Sequence, residues 1–467
     1  MQRSIVEQAV GLAGLSLPGD THFEVTGDEP ILASPHRLGT GAATARVLTG
    51  VAASELWRVR TGRPQSISVD ATHAAAALRS YLFVRLLEHD ERPGLEVAAR
   101  QRVLGGIVAT RDGRFVQLHP SFNDGPAIRE ELGLGEDPTR EEVEAAVARR
   151  DAFELEAAFI ARKICGGVVM TRSEWADHPQ GRAIADWPVV RITKIGDAPP
   201  EPFAEGDRPA SGVRVLDLTR VLAGPTCAKT IAEHGADVLH VTAPHLDRPG
   251  PFDIETGIGK RQASLDLNDP GQAETMRALI AGTDVFSQGY RLGTLARRGL
   301  SPEALARLRP GIVYVSENCY GHVGPWAERP GWEQLGQAAT GMSHREGTAS
   351  LTGVPRLAPA AVNDYTTGFL AAYGAMIALA RRATEGGSWH VQASLSQTCM
   401  WYQRLGDDND VERADPGDTG SFVAEMETAD FGPIEYLRPA LSMSGTEPRW
   451  DLPPARSGAH DPAWLPR

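Results

Sequence analysis

The segment that begins at residue 212 alternates between short apolar runs and amphipathic stretches, and this alternation constrains the fold most. "GVRVLDLT" is typical of a buried strand, "GPTCAKTIAEHGA" of a helix and "DVLHVTAP" of a second strand. Strands joined through a helix pair in parallel with a right-handed crossover. The pattern continues to "GIVYVSENCYG". We therefore predict an α/β fold with a doubly wound, Rossmann-like parallel sheet and a ligand at the carboxyl ends of its strands.

The sequence before this segment is organised differently. "IVATRDGRFVQLHP" predicts a hairpin that turns at Asp112-Gly113, "REEVEAAVARRDAFELEAAFIARK" a charged amphipathic helix and "PVVRITKIGD" a strand. These elements predict a smaller α+β domain. A stretch rich in proline, glycine and charge follows them and predicts a linker that ends near residue 205.

Two segments of the chain resemble each other at a constant offset of 324 residues. "GTGAATARVLTGVAASELWRVRTGRPQSISVDAT" aligns with "NDYTTGFLAAYGAMIALARRATEGGSWHVQASLS", which places Gly50 on Gly374. At this offset Thr40 lies opposite Asp364. If the two segments form a repeat, only the second copy keeps the carboxylate.

Overall charge and cysteine spacing limit the function classes. A net charge of -13 and a pI near 5.5 argue against a nucleic-acid partner, because phosphate binding needs concentrated positive charge. The four cysteines are too scattered for a disulfide framework or a C-x-x-C site, which indicates a reducing, cytoplasmic setting. No apolar run reaches membrane-spanning length, and the first twenty residues show no leader pattern.

Common cofactor motifs are incomplete or absent. No G-x-G-x-x-G opens the helix after "VRVLDLT", and "ETGIGKR" departs from the phosphate-binding P-loop at its first glycine and its final hydroxyl residue. No H-E-x-x-H or paired ligand cluster indicates a metal. We therefore expect no metal and no tightly bound cofactor.

Several sequence blocks occur in a characteristic order between about residues 205 and 400. They are "GVRVLDLTRVLAGPTCAKTIAEHGADVLHV", "GKRQASLDLNDPGQ", "GYRLGTLARRGLSPEAL", "RPGIVYVSENCYGHVGPWAERPGWEQLGQAATG" and the segment around Asp364. This series resembles the class III coenzyme A transferase family, which also contains the α-methylacyl-CoA racemases. "DGRFVQLHP" and "EWADHPQGRA" resemble the family's small domain, which normally follows the large one, and "RSGAH" resembles its closing motif.

The resemblance implies a rearranged domain order. Residues 1–88 would be the rear part of one large domain, and residues 89–204 the small α+β domain with its linker. Residues 205–403 would form a CoA-transferase large domain. Residues 404–467 lack regular periodicity, so we expect a tail that wraps over another surface or is partly mobile. The family forms interlocked, ring-like dimers, so the resemblance also implies a homodimer.

In transferases of this family, the aspartate at the position of Asp364 attacks the acyl-CoA thioester. The resemblance therefore implies an acyl-CoA:carboxylate CoA-transferase that acts through an aspartyl-acyl anhydride and an aspartyl-CoA thioester. Its substrates would be an acyl-CoA donor and a small carboxylic acid acceptor. The CoA contacts that it implies are Leu222, Ala223, Gly224, Lys260, Arg291 and Arg297.

Alternatives to this interpretation remain open. Aspartate before an apolar helix is a common N-cap, and Asp364 can cap the helix and also react, with its ionised form favoured by the helix N-terminus. Family racemases carry "GHD" where this chain has Trp332 and Glu333, so a racemase or isomerase is disfavoured because Trp332 accepts no proton, with Glu333 left as a conceivable substitute base. Departures at Thr242 and Gly289 keep open a non-catalytic CoA-binding relative.

Overall fold

The computed structural model describes residues 1–29, 31–95, 103–121, 124–246, 250–350, 352–407 and 419–466. Its helices are α1 (Arg3–Leu12), α2 (Leu38–Thr61), α3 (Ala71–Ala77), α4 (Gly125–Leu132), α5 (Arg140–Val147), α6 (Ala152–Arg162), α7 (Arg172–Asp177), α8 (Pro179–Ile184), α9 (Ala223–Ala232), α10 (Pro251–Gly257), α11 (Pro270–Ala281), α12 (Pro302–Leu308), α13 (Glu333–Thr340), α14 (Met342–Thr348), α15 (Val362–Glu385) and α16 (Leu395–Arg404). Its strands are β1 (Phe23–Thr26), β2 (Ile67–Asp70), β3 (Arg85–Leu86), β4 (Gly106–Ala109), β5 (Phe115–Leu118), β6 (Gly166–Val168), β7 (Val190–Gly196), β8 (Arg214–Asp217), β9 (Asp237–Thr242), β10 (Arg261–Ser264), β11 (Val285–Gln288), β12 (Val313–Asn318), β13 (Ser388–Ser394), β14 (Val423–Met426), β15 (Ile434–Leu437) and β16 (Ser442–Met443).

The largest sheet has seven strands in the order β10-β9-β8-β11-β12-β13-β7. All of its pairings are parallel except that of β7 with β13. Counted along the chain from β8, the six parallel strands follow the doubly wound order 3-2-1-4-5-6. The predicted parallel sheet is confirmed, and its strand order reverses between β8 and β11.

The helices between these strands begin as their sequences predict. The side chain of Asp269 accepts a hydrogen bond from the backbone N–H of Gln272. The side chain of Ser301 accepts one from the backbone N–H of Ala304, and each cap is followed by a proline. A proline at the first helical position loses no intrahelical hydrogen bond, and its fixed φ suits the helix. These caps fix where α11 and α12 start, on either side of β11.

The two similar sequence segments form the same elements at the same offset. α2 spans residues 38–61 and α15 spans residues 362–385, each 24 residues long and separated by 324 positions at both ends. α2 is followed by β2 and α3, and α15 is followed by β13 and α16. α3 and α16 begin 324 residues apart, at Ala71 and Leu395. β1 pairs in parallel with β2, as β12 does with β13. α2 and α15 pack against each other, so the two copies share one core.

The smaller sheet contains β4, β5 and β6, and the predicted hairpin turns at Gly113, whose φ is 73°. The single helix predicted between residues 140 and 163 is wrong. α5 ends at Val147 and α6 begins at Ala152, whose backbone N–H donates to the carboxylate of Asp112 at 3.3 Å. The hairpin therefore supplies the acceptor at which the second helix starts. β7, predicted as part of this domain, lies at the edge of the large sheet.

The C-terminal residues run back over the rest of the molecule. β15 pairs with β3 and β16 with β2, both in the N-terminal part. Trp450 Nε1 donates to the carbonyl of Lys229, and Trp464 Nε1 to that of Leu279, each at 2.9 Å. Residues 408–418 of the predicted wrapping tail lie outside the described residues. Within the parts of the chain that the structure describes, no helix has both the length and the apolar character needed to cross a membrane.

Candidate active site

A cavity of about 270 Å³ opens at the point where the strand order of the large sheet reverses. The residues that follow β8, the residues that follow β11 and the end of β12 all contribute to its lining. Ligands of open α/β sheets bind in this crevice because the loops after the two central strands diverge there. The ligand position predicted from the sheet therefore coincides with a formed cavity.

A second cavity of about 530 Å³ lies next to the first. Asp364, Val221, Leu222 and Trp332 line both cavities. The second cavity draws its other walls from several parts of the chain, including Tyr81, Gln117, His119, Phe252 and residues 357–361. A molecule that reacts at Asp364 can therefore extend on either side of this carboxylate.

Asp364 is the third residue of α15 and is partly buried. The N-cap of this helix is Ala361, which forms no side-chain cap hydrogen bond. The interpretation of Asp364 as an N-cap is therefore wrong. Instead, its side chain lines the two cavities, and it accepts no hydrogen bond from the described residues. A carboxylate free of structural partners is available to react.

The pKa of Asp364 is raised well above its usual range, first by burial and then by the nearby charge of Glu333. The expectation that the helix N-terminus keeps the carboxylate ionised is therefore wrong in direction, because burial and the like charge of Glu333 both favour the protonated form. Glu333 is also buried, and its Oε1 accepts hydrogen bonds from Gln337 Nε2 at 2.6 Å and Asn363 Nδ2 at 2.9 Å. Burial raises the pKa of Glu333 as well, and these donors oppose that shift. The carboxyl of Asp364 has no such donor among the described residues, and the charge of Glu333 raises its pKa further.

The turn between β8 and α9 is the tightest part of the site. Val221 has a φ of 72°, a conformation that β-branched residues rarely adopt. A Cβ at Gly224 would overlap the side chain of Thr219 across the turn, and a Cβ at Gly368 would overlap the carbonyl of Ala223. Gly368 therefore allows the first turn of α9 to approach α15 closely, and Gly224 allows the turn itself to fold back on Thr219. Backbone strain at such a turn is typical of functional sites, where the surrounding packing maintains it.

The predicted CoA contacts divide into three groups. Leu222, Ala223, Gly224 and Arg291 line the first cavity together with Asp364. Arg297 is exposed and lines neither cavity.

Lys260 also lies outside both linings. It is 1% exposed, and its ammonium donates to Asp217 Oδ2 and to the carbonyl of Pro225, each at 2.8 Å. This ion pair sits beneath the α9 turn. A role for Lys260 as a direct phosphate contact conflicts with its burial, and the arrangement fits a lysine that supports the turn.

Trp332 occupies the position at which the family racemases carry histidine, and it stacks on His119 with ring centroids 5.6 Å apart. Burial lowers the pKa of His119 to about 4, so this imidazole is neutral. Its Nδ1 accepts a hydrogen bond from the backbone N–H of Ser121, which leaves the ring proton on Nε2. In the second cavity His119 is therefore suited to donate a hydrogen bond and poorly suited to remove a proton.

Several lining residues were not predicted from the sequence. They are Tyr81, His119, Cys165, Glu317 and Cys319. The sequence could have predicted Glu317 as a lining residue, since it lies at the carboxyl end of a predicted parallel strand, where ligands bind. No sequence pattern predicted Tyr81 or His119 as lining residues, because their positions depend on how distant segments pack. Burial raises the pKa of both cysteine thiols, so neither forms a competing thiolate readily.

The two departures from the family pattern have local explanations. A Cβ at Gly289 would meet no atom within 4 Å, so this residue leaves open space in the first cavity. Thr242 ends β9, and its hydroxyl lies 2.6 Å from that of Ser457 in the C-terminal tail. Neither departure blocks the space beside Asp364.

Comparison with known proteins identifies relatives of most of this chain. The model of CoA-transferase family III matches residues 210–406. An acyl-CoA transferase of Gibberella moniliformis is 31% identical over 423 residues, which cover 82% of this chain and 73% of the relative. The acetyl-coenzyme A transferase nodX of Hypoxylon pulicicidum is 29% identical over 384 residues, covering 73% of this chain and 64% of that protein.

A solved structure also matches part of the chain. The CaiB/BaiF family protein from Brucella suis is 30% identical in sequence and superposes with a TM-score of 0.37, covering 42% of this chain and 55% of that one. The chain thus spans from about half to three quarters of these relatives. The family model and the fungal relative, which this chain covers over more than two thirds of its length, agree in their assignment. The chain belongs to CoA-transferase family III.

Proposed function

We propose that this protein is an acyl-CoA:carboxylate CoA-transferase in which Asp364 is the nucleophile. The observation that carries the proposal is a carboxylate without structural partners at the boundary between two cavities, one of which lies at the switch point of the sheet. A transferase needs space for CoA on one side of its nucleophile and for the acyl group or acceptor acid on the other. Family membership supports the same chemistry.

The reaction begins with attack of an Asp364 carboxylate oxygen on the thioester carbonyl carbon. The carbon–sulfur bond breaks, and an aspartyl-acyl anhydride remains on the enzyme. The CoA sulfur then attacks the aspartyl carbonyl and releases the donor acid, which leaves an aspartyl-CoA thioester. The acceptor carboxylate repeats both steps in reverse order and departs as the new acyl-CoA.

We assign the first cavity to the CoA end of the substrate. Leu222, Ala223 and Gly224 form the turn that the pantetheine arm would pass, with Arg291 at the exposed side for phosphate. The N-terminus of α9 points its positive end at the same cavity, so its backbone N–H groups would stabilise the oxyanion of the tetrahedral intermediate.

We assign the second cavity to the acyl group and the acceptor acid. Its described walls are mainly apolar, with Phe252, Leu357 and Ala358 among them, and His119 presents an N–H donor. Apolar walls exclude water, which would otherwise hydrolyse the anhydride. We further propose that the enzyme binds no metal or tightly held cofactor, acts in the cytoplasm and works as a homodimer.

Racemisation of an acyl-CoA is the alternative that shares this site. It needs two bases on opposite faces of the α-carbon. Trp332 accepts no proton, and His119 is a weak base whose Nε2 already carries one. Glu333 lines the second cavity beside Asp364, but its Oε1 is engaged by the amides of Gln337 and Asn363. The arrangement therefore favours group transfer.

Incubation of the enzyme with a panel of acyl-CoA donors and carboxylic acids tests the proposal. We expect new acyl-CoA products from the wild type and none above background from Asp364→Asn, which keeps the size of the side chain. Exchange of the α-proton in deuterated water without transfer would instead establish a racemase. Failure of every CoA ester to bind would contradict the proposal, and binding of CoA esters without any turnover would favour the non-catalytic CoA-binding relative.

A further inference from the structure

Glu317 places a second carboxyl group in the cavity that contains Asp364. It is the fifth residue of the six-residue strand β12, and its side chain lines the first cavity although the residue is only 5% exposed. Neither Oε1 nor Oε2 has a hydrogen-bond partner among the described residues. A buried acid with both oxygens unpaired costs stability and calls for an explanation.

The groups that face Glu317 make its charged form unfavourable. Asp217 at the end of β8 and Asp364 on α15 both repel it, and Lys260 attracts it. The ammonium of Lys260 donates to Asp217 at 2.8 Å and to a backbone carbonyl, and it makes no hydrogen bond to Glu317. Burial and the two like charges raise the pKa of Glu317 well above its usual range.

Other proton-bearing groups of the same cavity are less suitable. The amide of Asn318 is engaged on both sides, with Nδ2 donating to the carbonyl of Gly321 and Oδ1 accepting from its N–H. Burial raises the pKa of the thiols of Cys165 and Cys319, which makes them poor acids. Glu317 thus combines a proton, unused hydrogen-bonding atoms and a place beside Asp364.

We propose that Glu317 is a further catalytic residue that delivers a proton to the CoA sulfur as it leaves and removes that proton when the sulfur returns. This inference rests on the proposed transferase function and adds a proton carrier to it. Its geometric basis is the shared cavity, in which CoA sulfur is released beside Asp364.

The proton balance follows the two halves of each exchange. As the oxygen–carbon bond to Asp364 forms and the carbon–sulfur bond breaks, the electron pair remains on sulfur. The Glu317 carboxyl proton moves to that sulfur and leaves CoA thiol and a Glu317 carboxylate. When the thiol attacks the aspartyl carbonyl, Glu317 takes the proton back and the donor acid departs as a carboxylate. The same exchange occurs with the acceptor, so no external acid or base is consumed.

The variant Glu317→Gln tests this role because it keeps the shape and neutrality of the protonated acid but carries no transferable proton. We expect kcat to fall about 100-fold, since the variant cannot protonate the leaving sulfur. This is the lower end of the usual range for general acid–base catalysis, because a thiolate is already a good leaving group. KM for the acyl-CoA should stay within about threefold, as expected when an interaction made only during the chemical step is lost. We also expect the wild-type reaction to be slower in deuterated water than in ordinary water, and this solvent isotope effect should be absent from Glu317→Gln.

Glu317→Asp supplies the matched variant, since it keeps a carboxyl and should recover part of kcat and the solvent isotope effect. An unchanged kcat in Glu317→Gln would overturn the inference. A raised KM with unchanged kcat would also overturn it, because Glu317 would then act in CoA binding. Equal losses of kcat in Glu317→Gln and Glu317→Asp, with the isotope effect retained, would overturn it as well. Trapping of the Asp364 anhydride separates the two proposals: wild-type enzyme that forms no adduct with any donor it turns over contradicts the transferase mechanism itself.

Discussion

Asp364 shows how the surroundings of one carboxyl decide its chemistry. Its place in the first turn of α15 favours the ionised form, whereas burial and the charge of Glu333 favour the protonated form. The latter effects are larger, so the resting carboxyl holds its proton to higher pH than a free aspartate does. Asp364 must be ionised to attack the thioester. The rate should therefore rise with pH as Asp364 loses its proton, and fall again at the pH at which Glu317 loses the proton that it delivers.

This balance predicts a pH shift in the variant Glu333→Gln. Loss of the neighbouring negative charge lowers the pKa of Asp364, so the rising limb of kcat/KM should move to lower pH. Glutamine keeps an oxygen to accept the hydrogen bonds from Gln337 and Asn363. The pH profile of kcat/KM measures the shift. A limb that stays in place or moves to higher pH would show that Glu333 does not control this carboxyl.

At the scale of single residues, the order of the family blocks predicted that the turn at Leu222–Gly224 and Asp364 belong to one site, and both line the first cavity. It did not distinguish a surface cation from a buried one. Lys260 lies 43 residues from Asp217 along the chain, and only the pairing of the strands brings the two into a buried ion pair. Whether a lysine contacts a phosphate or an internal aspartate depends on such tertiary contacts.

At the scale of elements, the approach of α9 to α15 holds the strained turn beside Asp364. Gly368, one turn after Asp364, contacts α9 so closely that a Cβ would overlap the Ala223 carbonyl and the Thr226 side chain. We expect Gly368→Ala to reduce the free energy of unfolding by about 1–3 kcal/mol through overpacking. It should also lower kcat, because α9 must move away from the nucleophile.

Gly11→Ala is a matched control for this substitution. Gly11 is also within a helix, α1, but a Cβ there would meet no atom within 4 Å. Alanine favours helix over glycine, so this variant should gain up to about 1 kcal/mol and keep full activity. Urea unfolding and steady-state rates of both variants check the prediction. Equal effects of the two substitutions would contradict the close packing of α9 on α15.

The sequence predicted elements well where one segment determines them and less well where a neighbour does. The parallel strands and their capped helices follow from local patterns, and the repeat predicted α2 from α15 at the correct offset. The break between α5 and α6 depends on an acceptor supplied by the hairpin at Asp112. The edge position of β7 depends on a free edge of β13 in a distant part of the chain.

At the scale of the whole molecule, the second cavity is complete only when several parts of the chain come together. Tyr81 lies after α3, His119 follows β5, and Asp364 is on α15. The first copy has Thr40 in place of the carboxylate and supports the site through the packing of α2 on α15. Segments from distant parts of the chain therefore meet at one cavity.

We expect Tyr81→Ala to impair use of the acyl group without affecting CoA. The tyrosine lines the second cavity and not the first, so kcat/KM for acyl-CoA should fall while the affinity for free CoA stays within about twofold. Kinetics and calorimetric titration with CoA separate the two effects. Tyr81→Phe, which keeps the ring, should behave like the wild type if the contact is apolar. Loss of CoA affinity in Tyr81→Ala would contradict the assignment of the two cavities.

The most direct measurement of the central claim is chemical trapping of the enzyme-bound intermediate. The intact protein is incubated with a donor acyl-CoA and hydroxylamine, and the peptide that contains Asp364 is examined by mass spectrometry. A mixed anhydride at this carboxyl should yield a hydroxamate on Asp364 in the wild type and none in Asp364→Asn. Transfer of CoA with Asp364 unmodified, or a hydroxamate on Glu333 or Glu317 instead, would contradict the account.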